Sequence, residues 1–452
     1  MHEANMKTRF MFTSLVDTYV RAVLRKLLAR RAMQTEIPAD EQIAHVLRRC
    51  GFGPKPGEVA QWRDRGVAAL IDALLDNESV EALDQGNLFD EFGGGDDFDD
   101  EQLFAAIVDR MITARNPLHE RMTWYWHTHF TTSRDSSAQR HVWTQYQLLR
   151  RMALGNFGAF AREISTDAAM LYYLDGAGSY GDEPNENYAR EFLELFTLGH
   201  DGGYGEDDVR AAARIFSGWH VDWETGKVSF EPDAHYGRPV TFMGERRTWT
   251  IDSFVGYVCA LPACHRHVAT RLYHHLVGPD LAPERLDQLA AAFADSGLEI
   301  KALLAEMLRG DDFLAATHSR ARQPVEWMIG SLNALGYTSV AEVNLKHWHL
   351  ANLGQLMYYP PNVAGWPLTD RWVAPSQIIG RTGVLVDWEL PESLINSVEP
   401  TVDAVLARCG IFDPSPSTRA ALDRIENEFS EFDYRLELLF ATTLTSPEFT
   451  LL

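Results

Sequence analysis

Apolar residues recur every three or four positions along most of the chain, with polar residues between them, and this period predicts helices. Strand-like alternation is confined to "GWHVDWETGKVSF" (218–230), where Thr225-Gly226 predicts a hairpin turn. Strands do not alternate with helices, which argues against a doubly wound sheet. We therefore predict a mainly α fold, a large multi-helix array with a short β-hairpin and long loops. The predicted helices lie near 40–50, 67–76, 101–115, 117–129, 138–153, 158–174, 186–198, 206–217, 251–260, 263–277, 283–296, 299–309, 322–336, 347–358, 375–385, 398–409, 415–428 and 434–445.

Residues 1–36 differ from the rest of the chain. The stretch "LVDTYVRAVLRKLLARRAM" has a regular apolar face with Arg and Lys between, which predicts a basic amphipathic helix. We expect it to pack on its own domain; the alternatives are a peripheral membrane contact or a protein partner. A targeting peptide is the weakest alternative, because Asp17 interrupts the basic pattern.

The remaining residues, 37–452, are predicted to form a single large α-helical domain. Within it, residues 81–101 are rich in Asp and Glu, contain Gly-Gly-Gly at 93–95 and have no Lys or Arg. This composition is typical of an acidic, solvated and flexible loop; a calcium-binding loop is the alternative, although the ligand spacing of a known one is absent.

The composition of the chain limits the classes of partner and the locations that we expect. The 452-residue chain has a net charge of -23, so a nucleic acid is not expected to bind it. No apolar run reaches the ~18 residues that a membrane span needs, and no secretory signal is evident. A cytoplasmic or peripheral membrane location is therefore predicted. The four cysteines form no C-x-x-C, so neither a disulfide framework nor a zinc-thiolate site is indicated.

The stretch "PNENYAREFLELFTLG" (184–199) carries the first candidate chemistry. On a helix Asn187, Glu191 and Glu194 stand at i, i+4 and i+7, so they share one face, while most of the other positions are apolar. Buried carboxylates need partners. They can form structural ion pairs, act as acid and base, or bind a metal. Glu191 and Glu194 are thus candidate catalytic residues, and Asn187 and Arg190 are candidates for substrate binding.

The stretch "WYWHTHFTTS" (124–133) carries a His-x-His pair. In a helix His127 and His129 point about 160° apart, but in an extended chain they share a face. If the chain is extended there, His127, His129 and Glu191 are candidate ligands of a divalent metal. The alternative is that one histidine caps the helix end while the other packs against Trp124 or Trp126.

Two loops supply further candidates. In "FEPDAHYGRPVTFMG" (230–244), His235 is a candidate acid, base or ligand, and Arg238 can hold an anionic group. A surface turn is the alternative. In "YYPPNVAGWP" (358–367), Trp366 can form an apolar or sugar-stacking wall, although a rigid loop that joins helices explains the same residues.

Several segments occur in order that together resemble one bacterial family, known only as domain of unknown function eighteen hundred. They are "HVLRRCGFGP", "WYWHTHFTTS", "PNENYAREFLELFTLG", "DVRAAARIFSGW", "HYGRPVTFMG", "LGQLMYYPPNVAGWP" and "TSPEF". The resemblance covers about residues 40–452 and implies a mostly α-helical protein. It supplies no established catalytic residues. It does not extend to the histidines of "ACHRHVATRLYHHLV", which look peculiar to this chain.

The motifs of serine hydrolases, zincins, nucleotide hydrolases and Rossmann dehydrogenases are absent. The leading hypothesis is an enzyme with a Glu- and His-lined cleft, a hydrolase or lyase, with or without a divalent metal, that acts on a polar substrate such as a carbohydrate. The alternative is a non-catalytic scaffold or assembly protein, associated with a membrane surface through residues 1–36.

Overall fold

The computed structural model describes residues 37–76, 99–343, 345–368, 370–429 and 432–452. The first half of this part contains the helices α1 (Ala39–Cys50), α2 (Glu58–Arg63), α3 (Gly66–Leu75), α4 (Asp100–Thr113), α5 (Pro117–His129), α6 (Gln139–Met152), α7 (Phe157–Ile164), α8 (Ala168–Tyr173), α9 (Asn187–Glu191) and α10 (Glu206–Phe216). The second half contains α11 (Ile251–Cys259), α12 (Pro262–Leu276), α13 (Pro283–Asp295), α14 (Ile300–Leu308), α15 (Asp311–Ala315), α16 (Pro324–Leu335), α17 (His347–Asn352), α18 (Pro375–Val386), α19 (Glu392–Ile395), α20 (Val402–Arg408), α21 (Pro416–Glu428), α22 (Phe432–Leu444) and α23 (Pro447–Thr450).

The mainly α prediction is confirmed, and the strands are few and short. β1 (Trp219–Val221) pairs antiparallel with β2 (Val228–Phe230), which is the predicted hairpin. A second antiparallel hairpin, β3 (Val240–Phe242) with β4 (Glu245–Arg247), was not predicted. Its turn is Met243-Gly244, and both residues have a positive φ.

Two predicted elements lie wholly or partly outside the described residues. The basic segment 1–36 lies outside them entirely, and so does 81–98 of the predicted acidic loop. The last residues of that loop are helical instead, because Asp99 caps α4: its carboxylate accepts from the Gln102 N–H, and the Gln102 side chain accepts from the Asp99 N–H. The single domain over 37–452 stays a prediction.

One predicted helix, 158–174, is divided into α7 and α8. Asp167 is the reason, because its carboxylate accepts the Met170 N–H at 3.0 Å and so caps a new helix start. The Gln145 side chain donates to the same oxygen at 2.7 Å. Burial raises the pKa of Asp167 to about 6, although the two hydrogen bonds act in the opposite direction.

Helix α5 lies between two apolar cores. Its Met122 and Trp126 belong to the first core, with residues of α1, α3, α7 and α10–α14. Its Trp124 belongs to the second core, with residues of α4, α16, α18 and α20–α22. Opposite sides of one helix therefore face different surroundings, which determines where its histidines point.

A buried ion cluster joins α5 to α16. The Glu326 carboxylate forms ion pairs with Arg121 of α5, at 2.5 Å, and with Arg320, at 2.9 Å. All three side chains are at most 5% exposed. Burial alone raises the pKa of Glu326, but Arg121 and Arg320 outweigh it, so that the pKa is held far below its ordinary value. The carboxylate is thus ionised and shared by two guanidinium groups.

Among the helices in the described ranges, none combines the length and apolarity that crossing a membrane requires.

Candidate functional site

The predicted helix 186–198 begins as an α-helix and ends as a π-helix. After α9, residues Phe192–Thr197 form π turns, in which the Leu198 N–H donates to the Leu193 carbonyl at 2.8 Å. Gly199 ends the segment with φ +79°, and a Cβ there would lie 2.8 Å from Nδ1 of His267. Short π segments inside helices often mark functional sites.

Two histidines hold the carbonyl end of this π segment. The Nε2–H of His129 donates to the Phe196 carbonyl at 3.0 Å, and the Nε2–H of His267 donates to the Leu195 carbonyl at 2.8 Å. Burial lowers the pKa of both rings, to about 4 for His267 and well below the ordinary value for His129. Both are therefore neutral donors to carbonyls that a helix end leaves unpaired.

The acidic stripe of the segment is organised by one arginine. Arg190 contacts Glu206 at 2.8 Å, Glu186 at 3.3 Å and Glu194 at 3.5 Å. Glu194 also lies 3.4 Å from Nδ1 of His200. Glu206 is the first residue of α10, so this network ties the π segment to the next helix.

Glu191 is placed differently from Glu194. Its side chain is half-buried and has no hydrogen-bond or ion-pair partner among the described residues. Burial raises its pKa, the Glu194 carboxylate raises it further, and Arg190 and His200 oppose both effects. Glu191 therefore keeps its proton to a higher pH than a solvated glutamate does.

Two tyrosines lie close enough to Glu191 and Glu194 to be affected by their charges. Burial raises the pKa of Tyr173, and the charge of Glu191 raises it further. Tyr204 is affected in the same way, by burial first and then by Glu194. The Tyr204 hydroxyl is buried without a hydrogen-bond partner. We call Arg190, Glu191, Glu194, His200 and Tyr204 the Glu191 site.

Asn187 starts α9 and is exposed. Its side-chain nitrogen donates to the Asp175 carboxylate at 3.3 Å, and its N–H donates to the Asn185 side chain at 2.8 Å. These contacts give Asn187 a structural role at the helix start; its predicted role in substrate binding stays a prediction.

The predicted metal ligands are not gathered at one point. Helix α5 continues through His129, so the extended chain that would align the His-x-His pair does not form. His129 points to the π segment, whereas the His127 ring lies 4.3 Å from the Tyr358 ring and 5.8 Å from the Trp366 ring. Within the described ranges, no three His, Cys, Asp or Glu side chains cluster closely enough to hold a metal ion.

His127 instead lies in an aromatic enclosure. It is 1% exposed, and neither ring nitrogen has a hydrogen-bond partner. Burial lowers its pKa to about 3, so the ring is neutral. The packing against Trp resembles the sequence-based alternative for this residue, with Trp124 at 5.4 Å.

The loop candidates His235 and Arg238 lie beside the first hairpin. Nδ1–H of His235 donates to the Ser217 carbonyl at 3.1 Å, and its ring packs 5.3 Å from Phe230. Arg238 is exposed, pairs with Asp182 at 2.8 Å and covers the Tyr236 ring at 4.3 Å. Within the described part of the chain, no hydrogen bond, ion pair or ring contact joins either residue to Glu191, so their predicted roles stay predictions.

Trp366 lines a cleft that sequence reasoning did not find. The cleft has a volume of about 370 Å³ and lies between α5, α12 and two loops. Its polar lining includes Arg271, His274 and His275 of α12 and Arg320. The sequence signals for it were the histidine-rich stretch "ACHRHVATRLYHHLV" and the candidate wall residue Trp366. We call it the Arg271 cleft.

The fold and these sites define a mainly helical protein with a π segment and a cationic cleft. A family model described as "Protein of unknown function (DUF1800)" matches residues 45–451, nearly the whole chain, and the chain belongs to this family. No curated protein and no solved structure matches the chain. The family resemblance seen in the sequence is thereby confirmed.

Proposed function

We propose that the protein is an enzyme that carries out acid–base chemistry at the Glu191 site, a hydrolysis or an elimination on a polar substrate. Carbohydrates are the first class to test. One observation carries the proposal: Glu191 is a half-buried carboxylate without a partner, beside a second carboxylate that is ion paired. A carboxylate with a raised pKa beside a second, ion-paired carboxylate is an arrangement that catalytic sites share.

The two carboxylates differ in the way that acid–base pairs require. Glu191 has a raised pKa and is suited to donate a proton. Glu194 contacts Arg190 and His200 and is suited to act as the base or to stabilise positive charge. Two carboxyls with contrasting surroundings are the usual arrangement for this chemistry. The buried Tyr204 hydroxyl beside them can donate to a substrate oxygen.

The proposal is tested by replacing the carboxyl group of Glu191 with an amide. Glu191→Gln keeps the shape but removes the transferable proton, so kcat/KM should fall by about 100-fold or more. We would measure release of nitrophenol from a panel of nitrophenyl glycosides and of reducing ends from oligosaccharides, at several pH values. The matched control is Glu186→Gln, a glutamate about one turn away that contacts Arg190 and is not part of the Glu191 site.

Two results would contradict this proposal. Undiminished turnover by Glu191→Gln would remove Glu191 from the chemistry. Absence of turnover across the whole panel would remove carbohydrates as the substrate class.

A second candidate function, a non-catalytic assembly protein, is favoured by an exposed apolar face. Ile379 and Val386 of α18 are 64% and 77% exposed and stand seven residues apart, on one side of the helix. Two exposed apolar side chains on one face of a helix are a candidate contact surface. Val386→Asp should then lower the sedimentation coefficient of an assembled form, while an unchanged coefficient would count against this candidate.

A further inference from the structure

The Arg271 cleft is cationic in a protein whose net charge is -23. None of the described residues that line it is Asp or Glu. Arg271 is partly exposed and has no ion-pair or hydrogen-bond partner in the described ranges. A guanidinium group that no carboxylate engages can use its planar set of N–H donors to bind a carboxylate or phosphate group.

The other cation of the cleft is held in place. Arg320 is paired with Glu326 through both nitrogens, at 2.9 and 3.0 Å. Glu326 is also paired with Arg121, so this single carboxylate is shared by two cations. The positive charge behind the cleft wall therefore exceeds the negative charge, which favours an anion in front of it.

The wall also contains buried polar atoms without partners. The Tyr125 hydroxyl and Nε2 of His275 are both buried without a hydrogen bond, and their rings lie 4.9 Å apart. Tyr125 and His275 are each only 2% exposed. An unpaired buried polar atom is destabilising, and a ligand oxygen would satisfy it. These two atoms are independent evidence for a polar ligand.

The far side of the cleft is apolar. Trp366, Pro367 and Leu368 line it, and Trp366 is fixed by stacking on Trp124 at 5.7 Å between ring centres. Leu368 is 39% exposed, so part of its side chain is open to a ligand. The cleft volume is within the range of sites for small organic ligands.

From these features we propose that the Arg271 cleft binds a small organic anion, with a carboxylate or phosphate group at Arg271, Tyr125 and His275 and an apolar part against Trp366 and Leu368. The inference is independent of the proposed function of the Glu191 site, because the two share no residue. His274, next to Arg271 on the wall, supplies a further ring nitrogen for the same group.

The test is calorimetric titration of the full chain with phenyl phosphate and with benzoate, which together distinguish the two anionic groups. Inorganic phosphate carries the charge without an apolar part, so its affinity shows how much the apolar part contributes. Benzyl alcohol carries the aromatic ring without a charge, so its affinity shows how much the charge contributes. We expect saturable binding of at least one aromatic anion, weaker binding of inorganic phosphate and none of benzyl alcohol. Saturable binding of neither aromatic anion up to about 10 mM would overturn the proposal.

A pair of variants locates the site. Arg271→Gln should weaken binding of the aromatic anion by about tenfold or more, because a charge-assisted hydrogen bond is lost. Arg266→Gln removes the same charge from the same helix, but Arg266 pairs with Asp287 outside the cleft, so affinity should stay within about twofold of wild type. Equal weakening in both variants would overturn the proposal.

The apolar wall is tested by Leu368→Ser. This variant should weaken binding of the aromatic anion and leave the affinity for inorganic phosphate unchanged, which a fold defect would not do. Thermal unfolding of each variant should match wild type, because neither Arg271 nor Leu368 is buried. Unchanged binding of the aromatic anion by this variant would overturn the placement of its apolar part.

Discussion

Two ion clusters in this protein have opposite composition. In the core, one carboxylate, Glu326, is shared by the guanidinium groups of Arg121 and Arg320. Near the surface, one guanidinium, Arg190, is shared by the carboxylates of three glutamates. The first cluster has cations in excess and lies behind a cationic cleft. The second has acids in excess and surrounds Glu191.

Burial gives the two clusters different energetic weight. The core charges are withdrawn from water, so each depends on its partners, and removing one leaves an uncompensated charge. The surface charges are partly solvated and screened by salt, so each contact contributes little. The core cluster therefore stabilises the fold, whereas the surface cluster can include a carboxylate such as Glu191 that lacks a partner.

The largest effect is expected for Glu326→Gln. The substitution leaves Arg121 and Arg320 buried without a counter-charge, which should lower the free energy of unfolding by about 3–5 kcal/mol. Urea denaturation at pH 7 measures it. The effect should persist in 1 M salt (about 3 Å screening length), because buried pairs are weakly screened. A loss below about 1 kcal/mol would contradict the contrast between the clusters.

A smaller effect is expected for Arg190→Ala. It removes the contacts to Glu186, Glu194 and Glu206, and should lower the free energy of unfolding by about 1 kcal/mol at low salt. Salt should reduce the loss, unlike that of Glu326→Gln. Urea denaturation of both variants at low and high salt measures the two losses. Equal salt dependence of the two losses would contradict the contrast between the clusters.

Helix periodicity predicted the fold class because most helices here bury one apolar face. It did not predict the break at Asp167 or the π segment at Phe192–Thr197. The first depends on a side-chain cap and the second on carbonyls that His129 and His267 satisfy from other helices. Neither a local cap nor a contact between distant residues adds a periodic apolar signal to the sequence.

The candidate site could be predicted only in part. Glu191, Glu194 and Arg190 were identified because they are close in sequence, and the contact between Arg190 and Glu194 follows helical spacing. The His127–His129 hypothesis depended on one local choice, extended chain or helix, and helix α5 separates the two rings. The Arg271 cleft joins α12 to loops around residues 320 and 366, and only tertiary structure brings these segments together.

The smallest effect, of opposite sign, is expected for Glu191→Gln. The raised pKa of Glu191 means that the folded state binds its proton more tightly than the unfolded state does. Its contribution to stability is therefore present at low pH and is lost as pH rises from about 4 through the raised pKa. Gln does not ionise, so over this pH range the free energy of unfolding of the variant should rise relative to that of wild type.

The central claim, that Glu191 serves function rather than the fold, is tested most directly by the free energy of unfolding of Glu191→Gln at pH 7. Urea denaturation against wild type measures it, with Glu194→Gln as the control that loses the contact with Arg190. We predict that Glu191→Gln is more stable than wild type by up to about 1 kcal/mol, allowing for solvent screening at a half-buried position. A variant less stable than wild type by about 1 kcal/mol or more would show that the carboxylate supports the fold, and would contradict the account.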